Sequence, residues 1–145
     1  MLPTLAGRIQ TRLVLLALVG GLVTLLIGPL LPATAPLSVV YRNMFLVLAA
    51  VAVIGIGWEC VYHFLMQWRW EKDWPQLFGF LTCVPEGLLI WYLLRAGAIP
   101  GIEGTVAASV FVPDFLAVWV AVWLLASGPM RVVNIRWRFF GGRLV

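Results

Sequence analysis

Four long apolar stretches, each interrupted by only a few polar residues, fill most of the chain. They are 13–31, 44–66, 77–94 and 106–127. Each is close to the ~20 residues that a helix needs to cross a hydrocarbon core about 30 Å thick. Short segments rich in proline and glycine separate the stretches, and short connections favour antiparallel neighbouring helices. The pattern predicts an all-α integral membrane protein, a four-transmembrane-helix antiparallel bundle.

The composition indicates the same class. Of the 145 residues, 63% are hydrophobic and 11% are charged, and the mean hydropathy is +1.02. A water-soluble domain of this length cannot bury so much apolar surface in one core. The four stretches leave no room for a separate soluble domain, so we expect one transmembrane domain over 1–145. The first stretch is longer than the ~7–15-residue apolar region of a signal peptide, which favours a retained helix.

The basic residues are distributed unevenly between the segments that connect the stretches. Two, Arg42 and Arg95, lie in the first and third connections. The other eight lie before the first stretch, between the second and third stretches, and in the tail: Arg8, Arg12, Arg69, Lys72, Arg131, Arg136, Arg138 and Arg143. Positively charged segments remain in the cytoplasm. The distribution predicts a multi-pass protein with both termini cytoplasmic, and it explains the net charge of +4 without a nucleic-acid partner.

Arginine usage and the tail refine this localisation. Nine of the ten basic residues are arginine, which is typical of GC-rich bacterial genomes, so we expect a bacterial cytoplasmic (inner) membrane.

The tail, 129–145, places basic and apolar residues on different helical faces, as in an amphipathic cytoplasmic helix. Its predicted membrane-surface residues are Arg131, Arg136, Trp137 and Arg138.

The connection between the second and third stretches mixes charged residues with tryptophans. Such a segment is typical of a site that docks a partner protein or lipid head groups, and equally of a simple interfacial anchor. The candidate docking residues are Trp68, Arg69, Trp70, Lys72, Asp73 and Trp74.

Four ionisable residues fall inside the apolar stretches and form the candidate intramembrane polar site: Glu59, His63, Glu86 and Asp114. A charge at membrane depth costs several kcal/mol, so such residues face protein or water and often mark a function. One interpretation is a proton relay. A second is internal pairing, with Glu59 bound to His63 on its own helix and Asp114 capping a helix that begins at Pro113 rather than near Thr105. A third is that an arginine or amide of a partner protein binds the acids.

The sequence gives no support for a metal or cofactor site. The H-E-x-x-H pattern and the paired E-x-x-H of di-iron bundles are both absent, and His63 is the only histidine. We therefore predict no metal site and no cofactor.

The function predicted from these features is that of a small non-enzymatic bacterial membrane protein. We expect it to be a subunit or accessory of a larger membrane complex, with the lipid bilayer and other membrane subunits, or copies of itself, as partners. The first alternative is a component of a proton- or ion-coupled transporter or channel that uses the intramembrane carboxylates. The second is an intramembrane enzyme acting on a lipid or quinone.

Overall fold

The computed structural model describes residues 4–68 and 76–144, and its regular structure in these ranges is entirely helical. The all-α prediction is confirmed. The helices are α1 (Leu5–Leu30), α2 (Leu37–Gln67), α3 (Gln76–Leu81), α4 (Cys83–Arg95), α5 (Ala108–Ser127), α6 (Pro129–Val133) and α7 (Ile135–Phe139).

Within residues 4–68 and 76–144, three helical segments are long and apolar enough to cross a membrane: α1, α2, and the continuous segment Ala108–Val133 formed by α5 and α6. These three are consistent with a membrane protein. The prediction of a single helix over 77–94 differs from the structure, where a turn at Thr82 separates α3 from α4. Pro85 explains the break, because its ring removes the N–H that would bond to the Leu81 carbonyl. At the turn, the Thr82 hydroxyl donates to the Gly79 carbonyl, at 2.8 Å.

The longest helix, α2, extends well beyond the predicted stretch at its N-terminal end. Its 31 residues correspond to a length of about 46 Å. The buried residues recur every three or four positions and therefore form one stripe along the helix, as expected for packing against several neighbours. This stripe comprises Val40, Met44, Val47, Val51, Gly55, Tyr62 and Met66.

Helix α1 is not a uniform α-helix, because residues Leu16–Gly20 form a π-helical segment. A π turn takes up an extra residue and shifts the face that the rest of the helix presents. Leu15 and Leu16 are buried before the shift, and Gly20, Gly21 and Thr24 are buried at its end or after it. The N-terminal half of α1 packs against α2, and the π-helical segment and the C-terminal half pack against both α2 and α5.

Helix α5 begins at Ala108 and contains Pro113 in its interior. Asp114 therefore lies in the second turn of the helix, and the alternative start at Pro113 is not observed. The side chain of Asp114 is buried beside Thr24 of α1. Asp114 is thus a buried polar residue in the interior of α5 rather than a helix cap.

Stacked aromatic rings join α4 to α5. Trp91 lies 5.4 Å from Phe111, Phe111 lies 5.4 Å from Phe115, and Phe115 lies 5.9 Å from Trp119, measured between ring centroids. A side-chain carbon at Gly87 would approach the Phe115 ring to 2.8 Å, so this glycine permits the close packing of the two helices. We call this series of rings the aromatic ladder.

The connection between α4 and α5 is anchored to α2 by Asn43. The Asn43 side chain donates to the Glu103 carbonyl at 2.9 Å and accepts from the Glu103 N–H at 3.0 Å. Arg42 adds an exposed ion pair with the Glu103 carboxylate. These contacts fix the connection at the end of the molecule remote from both termini.

The C-terminal segment folds back onto the beginning of α1, and we call residues 137–144 the C-terminal strap. The Thr4 N–H donates to the Gly141 carbonyl at 2.8 Å, and the Thr11 hydroxyl donates to the Gly142 carbonyl at 3.0 Å. The Trp137 indole N–H donates to the Thr11 hydroxyl at 2.7 Å. Gly141 and Gly142 have φ values of 64° and 83°, which favour glycine at both positions. The strap brings the two ends of the described chain together.

Candidate functional site

Helix α1 carries two arginines that meet the acids of α2 and α4. The Arg8 Nε donates to Glu59 Oε2 at 2.6 Å, and the Arg12 Nη1 donates to Glu59 Oε1 at 3.2 Å. Arg12 also binds both carboxylate oxygens of Glu86, with the Nη1 to Oε1 distance at 3.1 Å. We call this connected set, Arg8, Glu59, Arg12 and Glu86, the ion-pair network.

The network is shielded from solvent, and its two arginines balance its two carboxylates. The side chains of Arg8, Glu59 and Arg12 are 16%, 12% and 10% exposed, and that of Glu86 is 2% exposed. Buried charges are tolerated when they are paired and hydrogen-bonded, and the planar guanidinium group suits bidentate binding of a carboxylate. The network therefore forms a closed set of charges joining α1, α2 and α4.

Gly55 of α2 creates the space through which Arg12 reaches the acids. A side-chain carbon built at Gly55 would overlap the Arg12 guanidinium group, whose Nε lies against this glycine. Gly55 belongs to the buried stripe of α2, one turn before Glu59. Gly55 thus leaves room for the Arg12 guanidinium group beside the Glu59 carboxylate.

The structure brings together two of the four predicted intramembrane residues, Glu59 and Glu86, through Arg12. Pairing of Glu59 with His63 is not observed. His63 is half-buried, and its Nδ1 has no hydrogen-bond partner within residues 4–68 and 76–144. Asp114 lies apart from the network, next to Thr24.

Arg8 and Arg12 are the site residues that sequence reasoning missed. Both precede the first apolar stretch, so the positive-inside rule explains them by topology alone. One signal was available. The two arginines are four positions apart, so they share a helical face, and Arg12 directly adjoins the apolar stretch.

A partly open cavity of about 310 Å³ borders the network. Helix α1, helix α5 and the C-terminal strap contribute most of its wall. The polar part of the wall includes Arg8, Thr11, Arg12, Glu59, Ser127 and Arg131. The apolar and aromatic part includes Leu15, Leu16, Trp119, Val122, Trp123 and Trp137. We call this space the arginine–tryptophan cavity.

The aromatic ladder ends at this cavity. The Arg12 guanidinium carbon lies 5.8 Å from the centre of the Trp119 ring, within the range of a cation–π contact. Trp119 is the last ring of the ladder, so the packing of α4 against α5 fixes one wall of the cavity and one contact of the network. The residues of the ion-pair network and the Trp119 wall of the cavity all lie on helices.

The other predicted surface residues have separate positions. Trp68, at the end of α2, is 78% exposed and packs its ring against Phe64. The remaining candidate docking residues, Arg69, Trp70, Lys72, Asp73 and Trp74, lie outside the described residues. In the tail, Arg131 and Trp137 line the arginine–tryptophan cavity, while the side chains of Arg136 and Arg138 are not described.

Within residues 4–68 and 76–144, histidine, cysteine, aspartate and glutamate side chains form no group of three that would hold a metal ion. Neither models of known protein families, nor curated proteins, nor solved structures match this chain.

Proposed function

We propose that this chain is a four-span protein of a bacterial cytoplasmic membrane, with both termini cytoplasmic. We further propose that it acts without catalysis, as an accessory subunit that holds a ligand in the arginine–tryptophan cavity. The observation that carries the proposal is the ion-pair network at the edge of this cavity. Its arginines and carboxylates already bind one another, so they suit a rigid wall of a binding site better than a proton-transfer group.

The C-terminal strap supports the proposed topology. Hydrogen bonds between Thr4 and Gly141, and between Thr11 and Gly142, favour a topology with both termini on the same side of the membrane. An even number of crossings gives this topology. With α1, α2 and α5 as three crossings, α3 and α4 together supply the fourth, and their combined length of about 30 Å matches a hydrocarbon core.

The tail supports attachment to the inner surface of the membrane. Val132, Val133 and Ile135 are exposed apolar residues at the end of the molecule that carries the termini. Arg131 and the strap lie at the same end. An exposed apolar surface beside basic residues is typical of a segment that lies on an anionic leaflet. Contacts with other subunits are expected along the remaining apolar helix surfaces.

The proposed topology predicts a labelling pattern for single cysteines placed in a Cys60→Ala, Cys83→Ala background. In intact spheroplasts, a membrane-impermeant maleimide is expected to label Thr105→Cys. It is expected to label Ala6→Cys and Arg143→Cys only after the membrane is permeabilised. All three positions are exposed in the structure, so a difference in labelling reports sidedness. Labelling of Ala6→Cys and Arg143→Cys on opposite sides would contradict the proposal.

A second candidate function, ion-coupled transport, is favoured by Asp114. This side chain is 4% exposed, and its Oδ1 has no hydrogen-bond partner in the described part of the chain. A buried carboxylate between helices is a typical component of a proton path. Ion-coupled transport ranks second because arginine binds Glu59 and Glu86, the other acids of the predicted proton relay.

Proton flux distinguishes these two functions. Liposomes containing the purified chain are expected to dissipate an imposed pH gradient no faster than protein-free liposomes, because arginine binds the carboxylates of Glu59 and Glu86. The Asp114→Asn and Glu86→Gln variants are expected to behave in the same way. A flux that the wild type shows and Asp114→Asn abolishes would establish the second candidate instead.

A further inference from the structure

Building on the proposed function, we infer that the arginine–tryptophan cavity binds the ring of a lipid-soluble quinone. Such a ring is uncharged and flat, and its carbonyl oxygens accept hydrogen bonds but donate none. The ring lies inside the cavity, and its hydrocarbon chain leaves through the open side. The chain of this article's protein holds the quinone without oxidising or reducing it.

The charges in the wall of the cavity compensate one another. Both arginines of the ion-pair network bind Glu59, and Arg12 also binds Glu86. The network therefore carries two positive and two negative charges. Arg131, the remaining charged residue of the described wall, is exposed and has an interaction partner of its own. A charged group buried in the cavity would find no free counter-charge, and its burial would be costly. The wall thus favours an uncharged ligand.

The side of the wall that carries the network can still donate hydrogen bonds, whereas its acceptors are occupied. Within residues 4–68 and 76–144, Arg8 directs its Nε to Glu59 and its Nη1 to the Met66 sulfur, so other N–H groups of its guanidinium are available to a ligand. Both carboxylate oxygens of Glu59 accept from arginine. The Thr11 hydroxyl oxygen accepts from the Trp137 indole. A ligand that accepts hydrogen bonds is therefore favoured over one that donates them.

A second donor lies deeper in the wall. The Trp119 indole N–H is buried and has no hydrogen-bond partner in the described part of the chain. Trp119 is separated by about 12 Å along α5 from Ser127, the wall residue at the end of that helix. Arg8, by contrast, lies near the termini. A quinone has carbonyl oxygens at opposite ends of one ring, so it presents acceptors to donors at two depths.

The shape and size of the cavity suit a flat ring that carries a hydrocarbon chain. Trp119, Trp123 and Trp137 line the cavity, and flat rings pack favourably against indole rings by stacking or by edge contacts. A volume of about 310 Å³ lies at the small end of the range for ligand pockets, enough for a substituted ring and the beginning of a chain. Exposed apolar residues such as Val120 and Leu124 on α5 offer surface for the rest of the chain.

Equilibrium binding of a tritium-labelled, decyl-substituted benzoquinone to the full protein in phosphatidylcholine nanodiscs tests this inference, with empty nanodiscs as the background. The corresponding quinol is titrated separately under anaerobic, reducing conditions. We expect saturable binding of the quinone and about tenfold weaker binding of the quinol, because its O–H groups find the nearby acceptors occupied. Decylbenzene, which lacks both oxygens, and phosphatidylglycerol, which is charged, are expected to compete for the labelled quinone more weakly than unlabelled quinone does.

Two pairs of variants locate the bound ring. Arg8→Met removes the guanidinium donors near the termini, while Glu59 keeps its second arginine, and is expected to weaken quinone binding about tenfold. Arg42→Met, the same replacement at the other end of the molecule, is expected to leave binding unaltered. Ala126→Trp places a ring in the cavity and is expected to abolish binding. Ala49→Trp, the same replacement at an exposed position of α2, is its control. Circular dichroism and elution volume verify that each variant is folded.

Each other outcome overturns a defined part of the inference. Decylbenzene that competes as well as unlabelled quinone overturns recognition of the carbonyl oxygens. Quinol that binds as tightly as quinone overturns the preference for an acceptor. Phosphatidylglycerol that displaces the quinone as effectively as unlabelled quinone overturns the uncharged ligand but, if Ala126→Trp excludes it, leaves the proposed ligand-binding function standing. Absence of saturable quinone binding overturns the inference as a whole. A failed cysteine-labelling pattern, by contrast, contradicts the proposed function itself.

Discussion

Arg12→Met is expected to lower the free energy of unfolding by about 3–5 kcal/mol, the cost of removing one partner from a buried ion pair. Arg12 binds both Glu59 and Glu86, and the Glu86 side chain is 2% exposed. After the substitution Glu86 loses its bidentate partner and remains buried, whereas Glu59 retains Arg8. Denaturant unfolding in a mild detergent, followed by tryptophan fluorescence, measures the loss.

Two further variants show whether this loss comes from the buried charge. Adding Glu86→Gln to Arg12→Met removes the unpaired carboxylate, so the double variant is expected to regain about 0.5–3 kcal/mol relative to Arg12→Met. Arg42→Met breaks the exposed pair with Glu103 and is expected to cost no more than about 1 kcal/mol. Equal losses for Arg12→Met and Arg42→Met would show that the network contributes little to stability.

Gly55→Ala is expected to destabilise the protein by about 1–3 kcal/mol, the usual cost of overpacking, and further if it displaces Arg12 from Glu86. The added methyl group would occupy the space of the Arg12 guanidinium group. Thermal unfolding of the purified protein in detergent measures the change.

Gly57 is the matched control on the same helix. A side-chain carbon at Gly57 has no neighbouring atom within 4 Å, so Gly57→Ala is expected to be neutral or to stabilise by about 0.5–1 kcal/mol through helix propensity. In an Arg12→Ala background the clash at Gly55 is gone, and Gly55→Ala is expected to become neutral or mildly stabilising. If Gly55→Ala costs the same in both backgrounds, contact with Arg12 is not its cause.

The sequence predicts the fold correctly wherever the length of an apolar stretch alone determines the helix. Hydrophobic length alone predicted the helices that became α1, α2 and α5. It failed at 77–94, because Pro85 interrupts the backbone hydrogen bonds and divides an otherwise apolar stretch at Thr82. The π-helical segment in α1 also lacked a sequence signal, since its residues, Leu16–Gly20, are ordinary apolar ones and packing decides their conformation.

The candidate site was only half predictable. The cost of burying charge singled out Glu59 and Glu86, both members of the ion-pair network. The sequence analysis did not identify their partners, because the positive-inside rule explains Arg8 and Arg12 by topology and takes no account of the residues that α1 contacts. The cavity depends on long-range packing between α1, α5 and the C-terminal strap. Contacts between residues more than 100 positions apart, such as Thr11 and Trp137, produce no local pattern from which a single sequence could predict them.

The C-terminal strap has a consequence for folding. One wall of the arginine–tryptophan cavity contains Arg8, and another contains Trp137 and Gly142, about 130 residues later in the chain. Closing a loop of this length costs conformational entropy, which is recovered only when the strap docks against α1. The cavity is therefore complete only after this long-range contact has formed, and a substitution that weakens the strap is expected to open the cavity.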